Sequence, residues 1–224
     1  MKAAVLFSGG KDSCLAAKYC LDQGWNVTLI AVQPKNTEAY IWHYPTVEMT
    51  ELSAKALGLP LIFVATDEIG NEEALCLNDI FSKNKFDAVV LGGVGLQETQ
   101  IREVSKIADK FGMKTIVPYA GWKSEELLLE EIGSGLDILI TEVAAGGLTK
   151  DLLGKKINDN FLLLKQLSER WGFDILGEGG SYNTFVTDAP FFDRKIDILD
   201  YDTIWDDNTR SGYIDVKTAK FVKK

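Results

Sequence analysis

Residues 3–13 have the sequence AAVLFSGGKDS, in which an apolar run is followed by two glycines and a lysine. The run AAVLF is typical of a buried parallel strand, and helical periodicity begins directly after the glycines. Comparable apolar runs follow in the first half of the chain, at 26–32, 61–65, 87–93 and 114–118. Because amphipathic stretches separate these runs, the sequence predicts the α/β class, with a doubly wound parallel sheet.

The clearest of the amphipathic stretches is LQETQIREVSKIADKFG at 96–112. Its apolar residues are spaced so that they fall near one face of a helix, which we expect Gly112 to end. The predicted apolar face comprises Leu96, Ile101, Val104, Ile107 and Phe111.

The pattern changes after Pro118. Two helix candidates and an apolar strand at 136–143 precede a glycine-rich turn and three runs with strand-like alternation, at 182–190, 195–202 and 212–219. The alternation indicates a small antiparallel element with one solvated face. We therefore expect a first part at 1–118 and a smaller α+β part at 119–224, with the active site between them and a frayed tail at 217–224.

Composition and charge narrow the class of protein. The 224 residues carry 24 Lys and Arg against 33 Asp and Glu, a formal charge of −9, which disfavours nucleic acid as a direct partner. No apolar run approaches the length that spans a bilayer, so no membrane partner is expected. The three cysteines, Cys14, Cys20 and Cys76, have neither paired nor metal-ligand spacing, which favours core packing in a cytoplasmic protein.

The strongest chemical signal is the hexapeptide between the first strand and the first helix, Ser8-Gly9-Gly10-Lys11-Asp12-Ser13. Its glycines allow consecutive N–H groups to turn inward around an anion, and the helix that follows adds unpaired N–H groups and a positive dipole end. The serine hydroxyls and the lysine ammonium complete a set of donors that suits a polyphosphate. The alternative is a tight Gly-Gly turn in which Asp12 or Ser13 only caps the helix.

In a doubly wound sheet the ligand crevice lies at the carboxyl ends of the strands, where the loops after residues 7, 33 and 92 are expected to meet. Gln33 is therefore a candidate nucleotide-binding residue. His43, the only histidine, lies in the second of these loops and is either catalytic or an ordinary surface residue. Glu98 and Gln100 lie just beyond the third loop. They are either within reach of a substrate or solvated residues at the start of a helix, where they favour the helix dipole.

SGGKDS after a first strand resembles the pyrophosphate loop of the N-type ATP pyrophosphatases, the adenine nucleotide alpha hydrolase superfamily with its HUP-like fold. Four longer segments resemble the diphthine–ammonia ligase family, and the similarity extends to about residue 192. These segments are HYPTVEMTELSAKALGLPL, ETQIREVSKIADKFGMKTIVP, LITEVAAGGLTKDLLGKKI and GEGGSYNTFVTDAPFF.

The resemblance also implies roles for individual residues. Lys11, His43, Glu98 and Glu178 would be catalytic, and Asp12 would be an indirect ligand of a magnesium ion. The EGGEY-type turn of the family is matched at 178–184, apart from Ser181, which replaces an acidic residue. Substrate binding is accordingly expected from Gln100, Gly179, Gly180, Tyr182, Thr184 and Asp188.

The function implied by the resemblance is amidation of the diphthine carboxylate on elongation factor 2 by ammonium, with ATP and Mg²⁺ as cofactors and AMP and pyrophosphate as products. Two alternatives share the loop: a transfer-RNA-modifying enzyme, which the acidic charge and the core-like cysteines disfavour, and an ATP-binding regulatory protein without turnover. The sequence leaves the oligomeric state open, a homodimer included.

Overall fold

The computed structural model describes residues 1–35, 49–68 and 70–224. The strands are β1 (Lys2–Leu6), β2 (Asn26–Pro34), β3 (Leu61–Thr66), β4 (Ala88–Val90), β5 (Lys114–Ile116), β6 (Asp137–Val143), β7 (Tyr182–Asp188), β8 (Arg194–Asp206) and β9 (Ser211–Lys223). The α-helices are α1 (Lys11–Asp22), α2 (Thr50–Leu57), α3 (Leu77–Lys83), α4 (Glu98–Lys110), α5 (Ser124–Gly133) and α6 (Ile157–Trp171). Short 3₁₀ segments occupy Gly70–Cys76 and Lys150–Leu152. In the described ranges, no helix is both long and apolar enough to cross a bilayer.

The first sheet is parallel and has the strand order β3-β2-β1-β4-β5. Its central strand β1 is buried on both faces: Ala3 and Val5 belong to one core cluster, while Ala4 and Leu6 belong to the other. Helix α1 packs in the first cluster, which includes Cys14, and α4 packs in the second. The predicted doubly wound α/β architecture is therefore confirmed.

The second sheet is antiparallel, with the strand order β7-β6-β9-β8. The buried side chains of this sheet pack in the same hydrophobic cluster as those of α1. The predicted antiparallel element is confirmed, but its last two strands are longer than expected. The prediction of a frayed tail is wrong, since β9 pairs with β8 as far as Lys223 and the Lys224 ammonium lies 2.6 Å from an Asp188 carboxylate oxygen.

Two local predictions in the first half are also wrong. Leu96 does not lie on the buried face of a helix, because α4 begins only at Glu98 and the Leu96 side chain is 61% exposed. Phe111 follows the last residue of α4 and is 38% exposed, whereas Val104 and Ile107 are buried as expected. Strand β4 also ends at Val90, well before the predicted limit of residue 93.

Candidate active site

The candidate site lies at the carboxyl edge of the parallel sheet, beside β1 and β4. Strand order reverses at this point, which is where doubly wound sheets bind their ligands. The loop after β1 forms one wall of the pocket, and the turn before β7 forms a second wall together with β7, which contacts the loop. The lining residues are Ser8, Gly10, Lys11, Asp12, Gln97, Leu176, Gly177, Glu178, Gly180, Tyr182, Asn183 and Thr184.

The backbone of the loop after β1 is shaped by Gly9, whose φ of +82° lies in the left-handed region that other residues rarely adopt. A Cβ atom at this position would also lie 3.1 Å from the buried ring of Phe185 on β7. The Gly9 carbonyl accepts a hydrogen bond from the Val186 amide at 2.9 Å. The turn is therefore held against the second sheet while the N–H groups at the start of α1 remain at the pocket.

Strand β7 contacts the loop at a second point, where the Lys11 amide donates a hydrogen bond to Thr184 Oγ1 at 3.2 Å. Both residues are buried and both line the pocket. Because this amide belongs to the first turn of α1, its helix offers it no carbonyl partner. Thr184 thus satisfies one of the N–H groups that the helix start leaves free.

The two serines of the hexapeptide occupy different positions. Ser13 is buried, and its hydroxyl donates to the Gly10 carbonyl at 3.0 Å and lies 3.3 Å from Ser8 Oγ. Ser8 lines the pocket, whereas Ser13 does not. Ser13 therefore holds the turn from within, and Ser8 is the hydroxyl that faces the pocket.

Lys11 is the main cation of the site. Its Nζ lies 2.7 Å from Asp12 Oδ2 and 3.6 Å from Glu131 Oε2, and the side chains of Lys11 and Glu131 are 2% and 0% exposed. Burial alone would lower the pKa of Lys11, but the carboxylates of Asp12 and Glu131 outweigh it and raise that pKa. Burial raises the pKa of Glu131 well above its usual range, against the attraction of Lys11.

Glu178 supplies a carboxylate on the second wall of the pocket. Its Oε2 atom accepts a hydrogen bond from Gln97 Nε2 at 3.0 Å, which links the turn before β7 to the loop after β4. Burial raises the pKa of Glu178, and the negative charge of Asp12 raises it further. Gly93 makes room for this carboxylate, because a Cβ there would lie 2.7 Å from Glu178 Oε1.

Tyr182 forms the floor of the pocket between these walls. Its ring is buried, and its hydroxyl donates a hydrogen bond to the Ile175 carbonyl at 2.5 Å. Burial raises the pKa of Tyr182, so the phenol remains protonated and continues to donate. Tyr182 therefore fixes the turn that carries Glu178.

Several of the predicted site residues lie away from this pocket. Gln33 lies near the end of β2 and does not line it, and Glu98 and Gln100 belong to the first turn of α4 behind Gln97. Gly179 is exposed in the turn, and Asp188 ends β7, where it pairs with Lys224. His43 lies outside the described residues.

Five pocket or near-pocket residues are missing from the sequence-based prediction: Gln97, Glu131, Leu176, Gly177 and Asn183. Glu131 carried a usable signal, since it follows the buried Leu127 by four positions and so falls on the apolar face of α5. Gln97 lies beside the predicted Glu98, one residue before the helix begins. No feature of the sequence marked Asn183 as a site residue, because it lies in a strand that mixes polar and apolar residues.

Comparison with known proteins places the chain in a family. A family model described as the diphthamide synthase N-terminal domain matches residues 1–115, and one described as the C-terminal domain matches residues 124–222. The chain belongs to the diphthamide synthase family. This result confirms the resemblance drawn from the loop and the glycine-rich turn.

Curated relatives of this diphthamide synthase family member carry the name diphthine–ammonia ligase. One from Danio rerio is 30% identical over 229 residues, covering 91% of this chain and 89% of the relative. Another from Rattus norvegicus is 29% identical over 220 residues, covering 88% of this chain and 82% of the relative. A solved structure of a "predicted subunit of tRNA methyltransferase" from Methanocaldococcus jannaschii is 19% identical, with a TM-score of 0.47. The match covers 85% of this chain and 98% of that structure's chain.

Both diphthamide synthase segments contribute to the pocket. The first supplies the loop from Ser8 to Asp12 and Gln97, and the second supplies Glu178 and the β7 residues. The buried contact between Lys11 and Glu131 also joins the two segments. The site is therefore a composite of the two diphthamide synthase domains.

Proposed function

We propose that the protein is an ATP-dependent ligase that amidates the diphthine carboxylate of elongation factor 2 with ammonia, releasing AMP and pyrophosphate. The proposal rests on one observation: a glycine-rich loop at the start of a helix and the carboxylate of Glu178 line one pocket, to which both family segments contribute. Relatives of similar length are named for the same reaction. We further propose a cytoplasmic location, in keeping with three unpaired thiols.

In this proposal residues 1–118 form the ATP-binding part and residues 119–224 form the substrate-binding part. The Ser8 hydroxyl and the Gly10 and Lys11 main chain line the pocket, and phosphate oxygens would take the Gly10 and Lys11 amides over from Ser8 Oγ and Thr184 Oγ1. The N-terminal end of α1 adds its positive dipole end to the site. These groups suit the pyrophosphate portion of ATP.

The residues also fit a magnesium ion that accompanies the nucleotide. Asp12 Oδ1 is buried and has no hydrogen-bond partner among the described residues, and a carboxylate oxygen is a ligand that Mg²⁺ prefers. The described ranges contain no group of three metal-ligating side chains, so we assign Asp12 as one protein ligand to an ion held mainly by phosphate oxygens. Bound there, the ion would neutralise charge on the phosphates.

The reaction has two steps. An oxygen of the diphthine carboxylate forms a bond to the α-phosphorus of ATP as the bond to pyrophosphate breaks, giving an acyl-adenylate. Ammonia then attacks the acyl carbon, and AMP leaves as the amide forms. The contribution of the protein is position and charge: Lys11 and the loop amides stabilise the departing pyrophosphate, and Glu178 lies on the wall that meets the acyl group.

The test is a product assay with the purified protein, ATP, Mg²⁺ and ammonium. We expect AMP and pyrophosphate only when diphthine-bearing elongation factor 2 is present, together with a mass change on that factor equal to conversion of a carboxylate into an amide. ADP and phosphate as products would contradict the mechanism. Turnover that needs transfer RNA instead, or ATP binding without turnover under any condition, would contradict the proposed function.

A further inference from the structure

The two walls of the pocket differ in hydrogen-bonding character. The loop wall presents the Ser8 hydroxyl, the Gly10 and Lys11 main chain and the Asp12 carboxylate, and the Lys11 ammonium is paired with Asp12. The second wall presents acceptors, of which Glu178 is charged. Acceptors such as Glu178 suit a ligand that donates hydrogen bonds, which a polyphosphate does not.

Asn183 is oriented so that it adds an acceptor to this second wall. Its Nδ2 atom donates to the carboxylate of Glu142 on β6, which can only accept when ionised. Its carbonyl oxygen Oδ1 receives no hydrogen bond from any residue in the described ranges, and the side chain lines the pocket. Glu142 therefore fixes the amide with its acceptor end free.

A register shift between β6 and β7 accompanies this arrangement. Ile140 pairs with Thr184, but Glu142 pairs with Asn183, so Thr141 is an extra residue on β6. Such a bulge turns the side chains beside it away from regular alternation. Tyr182, Asn183 and Thr184, which pair with β6 on either side of this bulge, all line the pocket.

Glu178 and Asn183 line the same pocket as Gly180, which is exposed. Gly180 lines the pocket, and a Cβ built there would meet no atom within 4 Å. A cation in this space would offset two unfavourable features of Glu178, its partial burial and its repulsion from Asp12. The site combines one carboxylate, one fixed amide carbonyl and little volume, which suits a small cation with several N–H donors.

We propose that Glu178 and the Asn183 carbonyl form the subsite that binds ammonium, with Glu142 as the positioning residue that orients Asn183. The assignment rests on the proposed function, in which ammonia is the nitrogen donor. It places the donor nitrogen across the pocket from the pyrophosphate loop, on the side that belongs to the substrate-binding part. The order of groups across the pocket is then pyrophosphate, acyl group and ammonium.

The primary test is direct binding of ¹⁵N-labelled ammonium chloride to the purified full chain, measured by broadening of the ammonium resonance. We expect wild-type protein to broaden the signal and Glu178→Gln to lose at least about ten-fold in affinity. Glu142→Leu, which leaves the pocket lining unchanged but releases the Asn183 amide, should weaken binding as well. Ser181→Ala is the matched control, since Ser181 adjoins the turn without lining the pocket, and it should bind as wild type does.

Kinetics separate this inference from the proposed function. In the ligase assay, Glu178→Gln and Glu142→Leu should raise KM for ammonium about ten-fold, while ATP affinity from calorimetry stays within about two-fold of wild type. Equal ammonium affinity in wild type and both variants would overturn the subsite even if the ligase reaction is confirmed. Conversely, ammonium binding that depends on Glu178 in a protein that never forms AMP would support the subsite and contradict the proposed function.

Discussion

Lys11 Nζ lies 3.6 Å from Glu131 Oε2, although α1 and α5 come from different family segments. Neither side chain has appreciable contact with solvent, and neither oxygen of Glu131 accepts a hydrogen bond from the described residues. Lys11 is the cation that faces this buried carboxylate, while Asp12 provides the shorter contact to the same ammonium. A residue assigned to phosphate binding is thus also part of the core between the two halves.

The first prediction concerns this pair. Lys11→Met leaves Glu131 buried without a cation, so we expect the free energy of unfolding to fall by about 3–5 kcal/mol. Lys11→Met combined with Glu131→Leu removes the buried pair but leaves Asp12 without its 2.7 Å contact, so it should recover part of that loss. Urea unfolding of the four proteins of the double-mutant cycle gives the coupling energy. Glu130→Leu, at the exposed neighbouring position, is the control and should change stability little. Additive effects of the two substitutions would show that the contact carries no energy.

The second prediction compares two buried threonines. Thr184→Val removes the acceptor for the Lys11 amide, so we expect ATP affinity to fall several-fold, equivalent to about 0.5–1.5 kcal/mol for one hydrogen bond. Thr141 is also buried, but its hydroxyl has no partner among the described residues. Thr141→Val should therefore leave ATP affinity unchanged and keep or increase stability. Calorimetric titration with ATP and thermal unfolding measure the two effects, and equal ATP affinity in both variants would contradict the role of Thr184.

The third prediction uses the three thiols. Burial raises the pKa of Cys20 to about 12 and that of Cys76 to about 11, and it raises the pKa of Cys14 as well. Because only the thiolate reacts, about one Cys76 side chain in a thousand is reactive at pH 8. We expect slow alkylation by iodoacetamide in native protein, a rate that rises as pH approaches 11, and rapid labelling of all three sites in urea. Mass spectrometry follows the reaction. Fast labelling of one native cysteine at neutral pH would remove one of the two arguments against a transfer-RNA-modifying enzyme.

The parts of the fold that follow from local pattern could be predicted from sequence. Strand β1 is apolar at consecutive positions because both of its faces are buried, and the glycine pair after it marks the start of α1. The position of the pocket then follows from the reversal of strand order beside β1. The prediction that Leu96 lies on the apolar face of α4 was wrong because the helical spacing of apolar residues continues upstream of the first helical residue. The sequence contained no capping signal that would have marked where the helix begins.

The parts of the site that depend on pairing between distant segments could not be predicted. Asn183 gains its orientation from Glu142 across a bulge, and neither spacing nor composition encodes that register. The prediction of a frayed tail at the end of β9 was wrong for a related reason. Its lysines suggested a solvated tail, but pairing with β8 satisfies the backbone while the charged side chains remain at the surface.

The hydrogen bond from the Val186 amide to the Gly9 carbonyl has a consequence for biosynthesis. The loop after β1 leaves the ribosome early. The strand to which it is hydrogen-bonded, β7, emerges only after most of the polypeptide has been made. A nascent chain that stops short of β7 contains the phosphate-binding sequence without the strand that completes its shape. We therefore expect the loop after β1 to reach its final shape late in translation, once β7 has been made and pairs with it.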